Sequence, residues 1–160
     1  MYEYLAKTPE RSILGFIDEV PYAFFRLSAL AERLHADLGV SGPHRGVLKA
    51  LFLDGEQTAP DLARRKLVTR QAIQPIVDDL VSRGLIAAED NPRHRRSQLY
   101  SLTKKGIEAC VTIQEREIAE IERLTPDLDA GSLDSALSVI RQLNEALLER
   151  LDAAPESEKA

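Results

Sequence analysis

The apolar residues between Thr69 and Leu80 recur every three or four positions, a spacing that predicts an amphipathic helix with one buried stripe. They are Ile73, Ile76, Val77 and Leu80. Thr69 precedes the first turn, where a threonine hydroxyl can accept a backbone hydrogen bond and cap the helix. The opposite face carries Arg70, Gln71 and Gln74. Taken alone, this pattern is also typical of an ordinary solvated surface helix, and the neighbouring elements favour a different interpretation.

A shorter helix is predicted just before this one. Thr58 and Asp61 have the spacing of a capping box, in which each side chain bonds the other residue's backbone N–H. The helix that follows is predicted to have apolar residues on its inner side, Leu62 and Ala63, and basic residues on its outer side, Arg64, Arg65 and Lys66. A turn at residues 67–68 joins the two helices. Together they predict a helix-turn-helix in which the second helix is the recognition helix.

A basic hairpin is predicted after Gly84, which supplies a left-handed helix end. Residues 85–89 and 98–102 have the length and composition of two short strands, with Tyr100 and Leu102 facing the core. The segment between them is longer than a hairpin requires and contains three arginines. The predicted fold is therefore mostly α-helical, a winged helix-turn-helix with a small β-hairpin wing and with N- and C-terminal dimerisation helices.

The two ends of the chain are predicted to be long apolar-striped helices. A heptad-like series runs from Ile13 to Leu38, and Pro21 is expected to divide it into a short lead-in and a longer helix that ends at Gly39. A last helix over residues 132–151 has so wide an apolar stripe that we expect a second subunit to cover it.

These elements divide the 160 residues into four segments. Residues 1–40 form an N-terminal dimerisation helix, and residues 41–106 form the DNA-binding domain. Residues 107–152 form C-terminal dimerisation helices, and residues 153–160 form a flexible tail.

Charge is distributed unevenly along the chain, although the net charge is −5. Residues 60–105 contain ten Lys or Arg and five Asp or Glu, so this segment carries +5 and the remainder carries −10. A basic middle between acidic ends is expected of a module that faces DNA. The sequence shows no signal peptide and no membrane-spanning run, and its single cysteine, Cys110, fits a reducing compartment. We therefore expect a cytoplasmic protein.

The predicted DNA contacts fall into three groups. The base-reading candidates are Thr69, Arg70, Gln71 and Gln74, because Arg and Gln can bond purine edges in the major groove. The wing candidates are Arg93, His94, Arg95 and Arg96, placed for a narrow minor groove. The phosphate candidates are Arg64, Arg65 and Lys104. A two-fold dimer would place half-sites about 10 base pairs, or roughly 34 Å, apart, which predicts a pseudo-palindromic operator.

The wing region resembles that of the MarR (multiple-antibiotic-resistance regulator) family. Gly84-Leu85, Asn91-Pro92, Arg96 and the Leu102-Thr103-Lys-Lys-Gly106 run match the family's wing signature in order and spacing. The close match covers roughly residues 41–106. Two positions depart from the family pattern: Asn91 replaces its first aspartate, and His94 stands where an aspartate commonly braces the wing arginine.

This resemblance implies a homodimeric transcription regulator, usually a repressor. Many members of the family release their DNA when a small aromatic or phenolic effector binds. Such a pocket is expected where the first helix meets the second. Its candidate residues are Phe24, Phe25, Arg26, His35, His44 and Arg45.

The sequence contains no motif of an enzyme, a cofactor or a metal site. The three histidines lack the spacing of a metal motif, and Cys110 lies on an apolar helical face. We therefore expect no catalytic activity, no cofactor and no metal. The alternative to a DNA-binding regulator is a winged-helix module that binds another protein and lacks specific DNA binding, an interpretation that the acidic total charge supports.

Overall fold

The computed structural model describes residues 9–92 and 97–152. The helices are α1 (Pro9–Leu34), α2 (Gly42–Asp54), α3 (Ala59–Arg65), α4 (Arg70–Ser82), α5 (Lys104–Leu124) and α6 (Ala130–Asp152). The strands are β1 (Gln57–Thr58), β2 (Ile86–Asp90) and β3 (Gln98–Leu102), which form one antiparallel sheet in the order β1-β3-β2. This is the mostly α-helical winged-helix architecture that the sequence predicts. None of the described helices is long and apolar enough to cross a membrane.

The chain folds as two compact units, one up to Ala119 and one from Glu120 onward. The core of the first unit lies among α2, α3, α4, the sheet and α5. Its fully buried side chains include Leu48 from α2, Leu62 from α3, Leu80 from α4 and Ile86 from β2. These positions follow the helical spacing of the apolar residues, so the hydrophobic pattern alone accounts for how α2, α3 and α4 face inward.

Local capping contacts account for where α3 and α4 begin. Asp61 N donates to Thr58 Oγ1 over 3.3 Å, and Thr58 N donates to Asp61 Oδ2 over 3.2 Å, which is the predicted capping box. Ala72 N donates to Thr69 Oγ1 over 3.2 Å, so Thr69 caps α4 as predicted. Each contact satisfies a backbone donor that has no partner within its helix.

The ends of α3 and α4 share one motif. After α4, Gly84 has a φ of +65° and its neighbour Leu85 donates back to Leu80 O over 3.0 Å. After α3, Leu67 takes the left-handed position with a φ of +52°, and Val68 N donates to Ala63 O over 3.1 Å. Both are Schellman ends, and Gly84 is the predicted left-handed stop.

The glycine at the start of α5 allows that helix to lie against the end of α4. A side chain on Gly106 would overlap the carbonyl oxygen of Leu85. Thr103 Oγ1 donates to Gly84 O over 2.7 Å and accepts from Gly106 N over 3.1 Å. The Leu-Thr-x-x-Gly run is therefore a packing device that joins the second strand of the wing to the helix-turn-helix.

Three expectations about the elements were wrong. Pro21 does not divide the first helix: α1 is continuous across it, because a proline removes one backbone donor and the surrounding helical bonds remain. That helix ends at Leu34, and Gly39, with a φ of +62°, ends a separate 3₁₀ turn over Ala36–Leu38. The sheet also has a third strand, β1, which overlaps the capping box of α3 and is too short to show periodicity.

Candidate DNA-binding surface

The outer face of α4 is presented from a rigid support. Ile73, Val77 and Leu80 are fully buried, so one side of the helix is fixed on the core. Arg70 and Gln71, at the amino-terminal end, are exposed to solvent, whereas Gln74 is half-buried. Arg70 and Gln71 have no ion pair or side-chain hydrogen bond to any described residue. Their donors and acceptors are therefore available to a ligand.

Gln74 differs from Arg70 and Gln71 because its side chain is already bonded, as is the capping hydroxyl of Thr69. Its Nε2 donates to Asp78 Oδ1 over 2.9 Å and to the Tyr100 hydroxyl over 3.3 Å. The same hydroxyl donates to Gln98 Oε1 over 3.4 Å. This chain of contacts connects α4 with β3, and the sequence analysis did not predict it.

The predicted phosphate contacts lie in different environments. The Arg64 side chain is 78% exposed and lies 3.6 Å from Asp61, and the Lys104 side chain is 94% exposed and lies 4.0 Å from Glu108. Arg65 forms a close ion pair with Asp54. Exposed pairs of this kind contribute little stability, so DNA phosphates can compete for all three cations.

Lys66, which the sequence placed on the outside with Arg64 and Arg65, is half-buried. Its ammonium group lies against Gly46 of α2, and burial lowers the pKa of this lysine. The turn that follows α3 directs this side chain back across α2. Its separation from the exposed basic face is a tertiary effect that the charge run did not show.

The four wing candidates, Arg93, His94, Arg95 and Arg96, lie outside the described residues. The base of the wing is described: Asn91 is buried, and its Nδ2 donates to Ser97 Oγ over 3.4 Å. The Asn91 side chain thus links the two sides of the wing at its base, at the position where the family has an aspartate.

The six candidate effector-pocket residues are not brought together within one chain. Phe24, Phe25 and Arg26 are exposed on α1. His44 Nε2 lies 3.1 Å from Asp79 Oδ2, and His44 Nδ1 accepts from Ser41 N over 3.2 Å, so this histidine links the start of α2 to α4.

His35 is fully buried, and its Nε2 lies 3.3 Å from Glu117 Oε1 of α5. Of the six candidates only Arg45 lines the cavity of about 150 Å³ that lies between α2 and α5 in the first unit.

That cavity combines cations with an apolar surface. Its lining includes Arg45, Lys49, Phe52, Cys110, Ile113 and Glu117. The sequence analysis missed most of these residues, although their spacing on α2 and α5 places them at successive turns of one helix face. Burial raises the pKa of the Cys110 thiol, which keeps it protonated and unreactive. No group of three or more metal-ligating side chains occurs among residues 9–92 and 97–152.

Known proteins resemble this chain in both sequence and structure. A family model described as MarR family matches residues 38–97. Uncharacterised proteins of Mycobacterium tuberculosis and Mycobacterium bovis are each 34% identical over 126 residues, which cover 77% of this chain and 88% of each relative. A crystal structure of a MarR family transcription regulator is 25% identical, with a TM-score of 0.74 and coverage of 91% of this chain and 96% of that one.

A mutant of MarR from E. coli complexed with operator DNA has the same fold. Its sequence is 19% identical to this one, the TM-score is 0.68, and the matched region covers 85% of this chain and 98% of the E. coli chain. The capped helix pair α3 and α4, followed by the hairpin of β2 and β3, defines a winged helix-turn-helix protein. The chain belongs to the MarR family, as the residues of its wing indicate, and is a DNA-binding transcription regulator.

Proposed function

We propose that this protein is a homodimeric repressor that binds a pseudo-palindromic operator, with one α4 helix in each of two successive major grooves. The observation that carries the proposal is the position of Arg70 and Gln71, which are exposed and bond no side chain in the part of the chain that the structure describes, on a helix whose other face is buried. Arginine bonds guanine O6 and N7, and glutamine bonds adenine N6 and N7. Held on a rigid support, these two side chains can select a base sequence.

The remaining contacts position the protein on DNA. Arg64, Lys104 and Arg65 can bond phosphates by exchanging their exposed ion pairs with Asp61, Glu108 and Asp54. The arginines at positions 93, 95 and 96 are proposed to enter the minor groove beside each half-site, where a narrow groove has an enhanced negative potential.

A second copy of the chain is proposed to cover the exposed apolar faces of the terminal helices. On α1 the large apolar side chains Ile13, Leu14, Phe24 and Phe25 are between 59% and 66% exposed. On α6 seven large apolar side chains are exposed: Leu133, Leu137, Val139, Ile140, Leu147, Leu148 and Leu151. So many exposed apolar side chains along one helix are more typical of an interaction surface than of a monomer's free surface. It supports the assignment of residues 1–40 and 107–152 to dimerisation and of residues 41–106 to DNA binding.

The cavity between α2 and α5 is proposed to hold a small effector. A volume of about 150 Å³ is enough for a single aromatic ring. Phe52 and Ile113 supply apolar contacts, and Lys49 supplies positive charge, whereas Arg45 already pairs with Glu32 and the lining carboxylate Glu117 lies 3.3 Å from His35 Nε2. An apolar wall beside a lysine suits a small aromatic acid or phenolate. Benzoate titrated calorimetrically should bind wild type and bind Lys49→Met more weakly. The matched variant Lys104→Met, outside the cavity, should behave as wild type.

The proposal is tested by fluorescence polarisation with a duplex from the gene's own upstream region and with a scrambled duplex, at two salt concentrations. Wild type should bind the first duplex more tightly than the second, and Arg70→Ala should reduce that difference by about 1–3 kcal/mol. Arg141→Ala, which removes an exposed arginine from α6, is the matched control and should bind as wild type. Sedimentation equilibrium should report a dimer.

Two results would contradict the proposal. A monomer at micromolar concentration would remove the basis for a two-fold operator. Equal affinity for the two duplexes would instead favour a winged-helix module that binds a protein partner. MarR family transcription regulators are generally not enzymes, and neither result would indicate a catalytic activity.

A further inference from the structure

Gln74 of α4 lies in an open groove whose other side is the strand of the wing. The groove is lined by residues of α3, α4 and β3, which include Pro60, Arg70, Gln74, Gln98 and Tyr100. The Tyr100 ring is buried, and its hydroxyl connects Gln74 on one element with Gln98 on the other. A hydroxyl that bonds two side chains of a groove can fix how both present their polar atoms.

The Asp78 carboxylate determines which end of the Gln74 amide faces it. A carboxylate can only accept, so the Gln74 atom 2.9 Å from Asp78 Oδ1 is the amide nitrogen. The second amide hydrogen of Gln74 is then donated to the Tyr100 oxygen, 3.3 Å away. Having accepted this bond, the Tyr100 hydroxyl donates its own hydrogen to Gln98 Oε1.

This arrangement leaves each glutamine with one kind of polar atom for DNA. Both N–H groups of Gln74 are used, so only its Oε1 remains, and that oxygen is an acceptor. Gln98 has the opposite arrangement, because its Oε1 is used and its NH₂ group remains as a donor. Neither of these remaining atoms bonds any described residue. The pair of bonds by which a free glutamine recognises adenine needs an N–H and an oxygen together, and Gln74 cannot supply both.

An acceptor selects bases that present a donor. In the major groove the donors are adenine N6–H₂ and cytosine N4–H₂, whereas guanine and thymine present acceptors at that edge. A Gln74 oxygen directed at guanine O6 or thymine O4 would place two acceptors together. Gln74 would therefore favour adenine or cytosine on the contacted strand and reject guanine and thymine.

We propose that the Tyr100 hydroxyl is a positioning group for operator selection, which holds the Gln74 amide so that position 74 reads the exocyclic amine of adenine or cytosine. The inference rests on the proposed function, since it requires α4 to lie in a major groove. It adds that a residue of the wing strand, which itself touches no base, determines which bases the recognition helix accepts.

The test is selection of bound sequences from a random duplex library by five proteins at equal concentration: wild type, Gln74→Ala, Tyr100→Phe, Asp78→Asn and Tyr22→Phe. The position of the half-site whose preference disappears in Gln74→Ala is the position read by residue 74. Wild type should prefer adenine or cytosine there by about two- to tenfold, the range of a single hydrogen bond. In Tyr100→Phe the Asp78 bond remains but one N–H of Gln74 loses its partner and can be donated to a base, so guanine and thymine should become accepted at that position alone.

Tyr22→Phe removes a tyrosine hydroxyl from α1 and should leave every position unchanged. Thermal unfolding of Tyr100→Phe, measured alongside, shows whether that variant is folded. Asp78→Asn should broaden the base preference at the position read by residue 74, because an asparagine can donate to a reversed Gln74 amide. A wild-type preference for guanine or thymine at the position read by residue 74 would overturn the inference. An unchanged base preference in folded Tyr100→Phe would also overturn it. If Tyr100→Phe does not fold, an unchanged preference in folded Asp78→Asn would overturn it instead. Failure of wild type to enrich any sequence would refute the proposed function itself, and this inference with it.

Discussion

Gly106 offers a sharp test of how α5 is held against the end of α4. Replacing it with alanine adds a Cβ that would overlap the Leu85 carbonyl oxygen and lie 3.1 Å from Leu102 Cδ2. The neighbour in the way is backbone, which cannot rotate aside as a flexible side chain can. That carbonyl also accepts the Thr103 N–H over 3.1 Å, so displacing it breaks a bond that joins the sheet to α5.

The magnitude follows from three contributions. Overpacking costs about 1–3 kcal/mol, and an unmade buried hydrogen bond costs about 1–3 kcal/mol. Alanine is the better helix former, which offsets about 1 kcal/mol. The free energy of unfolding of Gly106→Ala should therefore fall by about 1–5 kcal/mol.

Gly15→Ala is the matched control, because Gly15 is also a helical glycine and no atom lies within 4 Å of its added Cβ. The same substitution should there stabilise the protein by up to about 1 kcal/mol. Urea unfolding followed by circular dichroism, at one fixed protein concentration, measures both changes. If Gly106→Ala matched or exceeded the stability of wild type, the close approach of α5 to Leu85 would be refuted.

Three further predictions concern charge, DNA and the thiol. The Thr58 hydroxyl and backbone N–H donate to the Asp61 carboxylate and lower its pKa below the ordinary value of 3.8, so the stabilisation is complete above that pH and is lost as the pH falls through the lowered value. Asp61→Asn should therefore flatten the acid limb of a stability–pH profile, and an unchanged limb would show that this carboxylate does not contribute to it. Arg64→Ala should weaken binding equally on operator and scrambled DNA and lower the slope of log affinity against log salt concentration by about one. Arg70→Ala should instead cost about 1–3 kcal/mol on the operator and relax the preference at one base position. A loss that depends on the DNA sequence in Arg64→Ala would contradict its phosphate role. Because burial raises the pKa of the Cys110 thiol, the folded protein at neutral pH should react slowly with maleimide and keep its DNA affinity in peroxide. Rapid labelling by maleimide in the absence of urea would contradict this, because it would show that the thiol is accessible.

The amino-acid sequence by itself determined the elements whose causes lie within one or two helical turns. The caps at Thr58 and Thr69 and the left-handed stop at Gly84 depend on neighbours three to five residues away, and the apolar spacing of α4 shows which face is buried. The wing signature also depends on short spacings, so the family could be inferred from it. The wing arginines stay a prediction, because they lie outside the described residues.

Tertiary structure decided the features whose partners are distant along the chain. Gln74 meets Tyr100 across 26 positions, and His35 meets Glu117 across 82. No periodicity in one segment encodes such a pair, because each partner's position depends on how whole helices and strands pack. Gln74 was likewise expected to be a free base reader, yet Asp78 of its own helix accepts one of its N–H groups and Tyr100 of the neighbouring strand accepts the other. Local sequence thus placed the polar side chains on the recognition helix, and packing determined which of their atoms remain available to DNA.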